Sequence, residues 1–303
     1  MSASAFSNEV DLPAPGQGPS SVTAANADSP TASKPNDART PRSLPTWTGN
    51  LLLSATTFCI FIAGWELIVW AFSIPKIVLP PPSAIVAAFW TSLADGELAW
   101  HLSVTLYEIL AGFVVGSAGG LVLGFIIALS PLMERIFYPY VVAFQTVPKV
   151  AIAPIIVIWF GYGAASKVVI TATIAFFPLL ANTIMGLRAA PQDQVDMMVS
   201  YTASRWQVFR MVRFMQALPY IFVGLDVAIV LSVIGAIVGE FVGAKAGLGY
   251  LIPQKNFNFD MAGTFAILII LSLIGVGLHV LIGMAQRRIV FWMDMAGEHV
   301  TGA

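Results

Sequence analysis

Six stretches of this chain, roughly residues 50–73, 103–129, 137–160, 165–188, 217–241 and 263–285, are apolar almost throughout. An α-helix rises 1.5 Å per residue, so about 20 such residues cross the ~30 Å hydrocarbon layer of a bilayer. In hydrocarbon each backbone N–H and C=O must find its partner inside the protein, which leaves only helices and closed barrels as spanning structures. Runs this long, without period-two alternation, are helices. The chain is 57% hydrophobic and 10% charged, whereas soluble domains carry about 25% charged residues. The expected fold class is an all-α integral membrane protein with six transmembrane helices.

The same composition excludes several chemistries. A net charge of -1 with three histidines gives no basic face for nucleic acid. Cys59 is the sole cysteine, so there is no disulfide framework and no cysteine metal site. His101, His279 and His299 lie in different segments without ligand spacing, and no metal is expected. The phosphate-loop pattern GxxxxGK[ST] is absent, and Gly243–Gly247 lacks its spacing. No nucleophile stands beside a base. The chain is expected to be neither an enzyme nor, in that manner, an ATP binder.

Residues 1–46, rich in Ser, Ala, Pro, Asn and Asp, read as a disordered cytoplasmic tail. They precede a first transmembrane helix at 47–74, a bundle at 75–290 and a cytoplasmic C-terminal tail at 291–303. Between the first two spans, Pro80, Pro81 and Pro82 open a short helix with Ile85, Phe89, Trp90 and Leu93 on one side. It suits either an interfacial position or ordinary packing on its neighbours. With the tail inside, ten basic residues fall on the cytoplasmic side, Arg188, Arg205, Arg210 and Arg213 among them. Four (Lys76, Lys167, Lys245, Lys255) fall outside, and Lys149 is left within the third span. This bias places both termini in the cytoplasm. Two glycine rows, Gly112, Gly116, Gly120, Gly124 and Gly235, Gly239, Gly243, Gly247, mark helix faces that another backbone approaches closely.

Polar interruptions carry the functional expectations. The stretch from Asp193 to Pro219 holds three arginines between two spans and is longer than a turn requires, which suits a docking surface. Within the spans or close to them lie Glu66, Glu108, Lys149, Asp226 and Glu240. A charge at mid-bilayer costs about 2.5–3.5 kcal/mol on insertion scales, so such groups face protein or a watery passage. Glu108, Lys149, Asp226 and Glu240 are the candidates for a translocation pathway, with Lys149 paired to Glu240 or Asp226. Glu66 is assigned to packing or the interface.

In the insert, Ala203-Ser204-Arg205-Trp206-Gln207, Phe209, Arg210 and Leu218-Pro219 resemble the cytoplasmic loop of inner-membrane permeases of binding-protein-dependent ABC importers. The signature of that loop is E-A-A, three residues, G, nine residues, I-x-L-P. With Thr202 on the glycine, Asp196, Met197 and Met198 fall on E-A-A, and Val212, Phe214 and Met215 on the closing motif. Val147–Pro154, Trp159-Phe160-Gly161, Phe177-Pro178, Asn182-Thr183, Gly239-Glu240-Phe241 and Gly247–Ile252 are similar to the nitrate, sulfonate and taurine group of these permeases. Thr105–Glu108 with Gly112-Phe113 looks most like members associated with pyrimidine thiamine precursors, riboflavin or aromatic acids. Many relatives carry arginine where Glu108 and Asp226 stand here.

The resemblance implies an ABC type I importer permease-like bundle in a bacterial inner membrane, with a coupling loop at 189–216. It implies a homodimer, a pair of separate ATPase subunits holding ATP and Mg, and an extracytoplasmic substrate-binding protein. Asp196, Thr202, Ala203, Ser204, Arg205, Trp206 and Arg210 are the expected ATPase-coupling residues, with Trp206 as the apolar anchor. A secondary transporter driven by an ion gradient, or a membrane anchor without a pathway, remain the alternative readings of the residues alone.

Overall fold

The computed structural model describes residues 46–292. The chain divides into a first unit, Met1–Leu52, of which only the opening turns of one helix are described, and a second, Leu53–Ala303, that holds the bundle. Most of the two expected tails, residues 1–45 and 293–303, lies outside the described residues. Eleven α-helices and one π-helical turn make up the described chain, without a strand among the described residues.

The long helices are α1 (Thr46–Ala71), α3 (Glu97–Leu129), α6 (Ala164–Arg188), α9 (Phe214–Gly243) and α11 (Met261–Ile289). Each contains an apolar window long enough to span a membrane. The third expected span is broken into α4 (Pro131–Thr146) and α5 (Lys149–Phe160), set at 92°. Pro148 explains the break. It lacks an N–H, and its ring pushes the preceding residue out of helical geometry; Val147 is accordingly extended at φ -65, ψ 128. The two halves are fastened to opposite ends of α6: Glu134 in α4 is ion-paired with Arg188 at the end of α6, while the turn after α5 meets the start of α6 and the end of α9. Among the described residues the chain thus has five helices long and apolar enough to span a membrane, and six candidate spans with the broken pair counted as one.

Helix α6 is packed between α3 and α9 and carries much of the buried core, including Ile170, Ile174, Leu179, Leu180 and Ile184. The first glycine row makes this possible. A Cβ on Gly116 would stand 2.9 Å from Ala172 Cα, and one on Gly120 2.5 Å from the Phe176 carbonyl oxygen, closer than a side-chain carbon approaches either. The second row works on the other side of α6, Gly235 against Thr171 and Gly239 against Lys167. Its last member, Gly247, lies beyond the helix end in a left-handed conformation (φ 120) rather than on the shared face.

Two shorter helices finish the end of the bundle at which α6 begins. In α2 (Pro82–Ala94), Ile85 is buried and Phe89 packs on the cluster of Leu98, Leu251 and Ile267, while Trp90 and Leu93 stay exposed. Glu66 of α1 accepts hydrogen bonds from the Ser83 amide (3.1 Å) and hydroxyl (2.7 Å), capping the start of α2 from outside. Helix α10 (Leu248–Phe257) packs against α9 and α11.

Candidate functional site

At the opposite end of α6 the chain turns into the polar insert. Helix α7 (Gln192–Ser200) stops in a Schellman turn: the Ala203 amide donates to the Met198 carbonyl (3.0 Å) and the Thr202 amide to the Val199 carbonyl (2.9 Å). That turn demands a left-handed residue, and Thr202 supplies it at φ 61. This is the position the loop signature gives to glycine, and a β-branched residue there is strained. Ser204 then opens α8 (Arg205–Val208) with a capping box, its hydroxyl accepting from the Gln207 amide (3.3 Å) while its amide donates to Gln207 Oε1 (2.7 Å). No break follows. A π-helical turn, Phe209–Arg213, joins α8 to α9, so one helix runs from Arg205 to Gly243. The expected loop at 189–216 is therefore a loop only as far as Ser204; beyond it, the insert is the extended foot of the fifth span.

Val195, Val208 and Val212 form a small core that fixes α7 to this foot, with Ala203 packed against it. The remaining expected coupling residues face outward. Asp196 accepts from Gln192 Nε2 (2.9 Å) on its own helix, and Arg205 and Arg210 are exposed. Trp206 is 66% exposed, its ring stacked on Phe209 at 5.4 Å. Met197, Val199, Tyr201 and Met211 are exposed as well. A polar insert that presents so many large apolar side chains is built to be covered.

The intramembrane candidates separate into three places. Glu240 and Glu108 meet at the far end of the bundle, each 2% exposed. Glu240 Oε1 accepts from the Thr105 hydroxyl (2.7 Å) and Oε2 from the Gly249 amide; Thr105 in turn accepts from the Leu248 amide (2.7 Å), and His101 Nδ1 from the Gly247 amide (2.8 Å). Three consecutive amides at the start of α10 are thereby satisfied by side chains of α3 and α9. The Glu108 carboxyl lies beside that of Glu240, and two like charges held together at a buried site repel each other. The basic member of this cluster is Lys167, 1% exposed, whose ammonium donates to the carbonyls of Tyr162 (2.6 Å), Gly243 (2.8 Å) and Gly163 (3.1 Å) within electrostatic reach of both acids. One ammonium balances one negative charge on the pair of acids, the condition on which buried charge is tolerated.

Lys149 does not join this cluster. It sits at the elbow between α4 and α5, donating to the Gln145 carbonyl (3.1 Å) and lying 4.7 Å over the Phe177 ring, so its expected pairing with Glu240 or Asp226 is corrected. It covers a helix-end carbonyl left over by the break. Lys167, expected on the outer side, is buried at the end of the bundle opposite the insert. Asp226 pairs instead with His279 of α11 at 2.5 Å. Their side chains are 30% and 55% exposed, and His279 closes one end of a groove of about 470 Å³ walled by Val230, Ile234, Leu268 and Ser272.

Sequence reasoning missed Thr105, His101, Lys167 and His279. For Lys167 a signal existed: it follows the Gly161-Tyr162-Gly163 turn by four residues, and Gly239 and Gly243 leave room on the facing helix. His279 lies 53 residues from Asp226, and nothing local announced the pair.

Residues 120–291 match the family described as binding-protein-dependent transport system inner membrane component. A riboflavin transport system permease protein of Chloroflexus aurantiacus is 36% identical over 236 residues, 78% of this chain and 88% of the relative. A formylaminopyrimidine transport permease protein of Halalkalibacterium halodurans is 36% identical over 219 residues, 72% of this chain and 87% of the relative. Among solved structures, an inward-facing MetNI methionine ABC transporter chain aligns with 70% of this chain and 97% of its own length, at TM-score 0.47 and 22% identity.

Proposed function

The chain belongs to the binding-protein-dependent transport system inner membrane component family, as a multi-pass permease subunit of an ABC importer rather than an enzyme, and we propose that its polar insert is where a separate ATPase docks. The observation that carries this reading is the insert's surface. Trp206, Tyr201, Met197 and Met211 are held outward by a Schellman turn and a capping box on a foot continuous with α9. Large aromatic anchors flanked by arginine are the composition of interface hot spots, and Arg205 and Arg210 supply the flanking charge. ATP and Mg belong to the ATPase pair; an extracytoplasmic binding protein delivers the solute at the Lys167 end. Two copies of this chain form the membrane unit, with both termini on the insert side.

The solute is a small organic molecule of the pyrimidine-precursor or flavin kind, as the names of the two relatives suggest, rather than a sulfonate or other oxyanion. The partly exposed acid at 226, which repels an anion, supports that preference. In this reading Asp226, with His279, contacts the passage, whereas Glu108 and Glu240 fasten its outer end and Lys149 stiffens the elbow. The test is co-purification. Arg205→Ala with Trp206→Ala, at unchanged membrane abundance, removes the ATPase from the purified complex; undiminished assembly refutes the docking assignment.

A further inference from the structure

Beneath the insert lies a pocket of about 520 Å³ whose walls include Leu129, Val195 and Phe209 and whose polar lining comes from Arg205 and Arg213, with Trp206 beside them. We propose that this pocket binds an anionic membrane phospholipid, with the phosphodiester on Arg213 and an acyl chain along the apolar walls.

Depth favours a lipid. Counting from Gly243, the 30 residues of α9 rise about 45 Å, the thickness of a bilayer with its headgroup layers (~40–45 Å). With Gly243 at one headgroup plane, Arg213 stands at the other. Arg205, eight residues further along the same helix, lies about 12 Å beyond it, in water. The docking surface and the lipid site thus share Arg205 and Trp206 at the pocket's outer rim, while Arg213 lies deeper. Leu129, the last residue of α3, ends that apolar helix at the pocket wall.

Charge points the same way. Neither Arg205 nor Arg213 has a carboxylate partner among the described residues, unlike Arg188 at the same end, which is paired with Glu134. A guanidinium matches a phosphodiester with two parallel hydrogen bonds, and basic pockets between spans at the cytoplasmic face are where anionic headgroups bind. The apolar walls select a ligand with a chain over a free anion. The π-helical turn, a local departure frequent at functional sites, lies in the pocket's own lining.

The full chain, purified and placed in nanodiscs of equal parts phosphatidylglycerol and phosphatidylcholine, is released for native mass spectrometry. The wild type is expected to retain phosphatidylglycerol about tenfold over phosphatidylcholine, the scale of one charge-assisted contact. Arg213→Gln removes that preference, as does Leu129→Trp, which fills the pocket with the arginine intact. Arg287→Gln, on an exposed arginine in the last turn of α11, leaves it unchanged. Equal retention of both lipids by the wild type, or retention untouched in both pocket variants, overturns the proposal. Displacement of the lipid by inorganic phosphate overturns it in favour of a free-anion site. Loss of ATPase co-purification in Arg213→Gln with lipid retention intact assigns the pocket to the ATPase instead.

Discussion

Replacing Lys167 by methionine keeps the length of the side chain and removes the ammonium, which isolates what that charge contributes. Three hydrogen bonds disappear, to the carbonyls of Tyr162, Gly243 and Gly163 at 2.6, 2.8 and 3.1 Å. Hydrogen bonds to a charged group contribute about 1.5–3 kcal/mol each when counted alone, but they share one donor and do not add. The variant also leaves the single negative charge of the Glu108 and Glu240 pair without its counter-charge. Breaking one partner out of a buried ion group costs about 3–5 kcal/mol, and that is the expected loss here. At roughly 2–4 °C per kcal/mol for chains of this size, the apparent Tm of the purified protein, followed by tryptophan fluorescence, falls on the order of 10 °C. A double-mutant cycle then separates charge from packing. Glu240→Gln in the Lys167→Met background costs less than in the wild type by about 1–3 kcal/mol, because the stranded charge is gone. A fall in Tm of under about 2 °C, or a cycle that is strictly additive, refutes the electroneutral cluster.

Two further outcomes follow from the geometry. Thr202→Gly relieves a left-handed β-branched residue whose strain is about 1 kcal/mol, and part of that returns as glycine entropy; a rise in apparent Tm of about 2 °C with ATPase association kept is expected, and a fall shows that Thr202 is held by contacts the turn geometry does not reveal. Asp226→Asn removes the acid from the half-exposed pair with His279 and lowers uptake by on the order of tenfold at unchanged membrane abundance. Uptake at the wild-type rate in this variant confines the pair to holding α9 against α11.

The crossings and the close α3–α6 contact were legible in the sequence because each depends on one property of one segment: apolar length, or a glycine every fourth residue. The broken third span was not. Val147-Pro148 announced a disturbance, but the 92° bend at that proline depends on what α5 packs against, namely Ile170 and Ile174 of α6. The buried cluster was half legible. Glu108 and Glu240 stood out as acids in apolar runs, yet Lys167 read only as a lysine on the outer side, because one of the three carbonyls that hold it comes from 76 residues further along the chain. The strained turn at Thr202 shows a third case. The residue itself predicts no left-handed geometry, and only its alignment with a glycine in a resembling loop pointed there. Asp226 and His279 meet through the packing of two helices, information that no window of the sequence contains.

The uninterrupted helix from Arg205 to Gly243 has a mechanical consequence. Its 39 residues make a rod about 58 Å long, with the exposed tryptophan at one tip and the carbonyl that grips Lys167 at the other. A rod of that length tilted by about 5° about one tip swings the other through about 5 Å, roughly one helical turn, less whatever bending the π-helical turn and Pro219 take up. Whatever pushes on the foot is felt at the far rim.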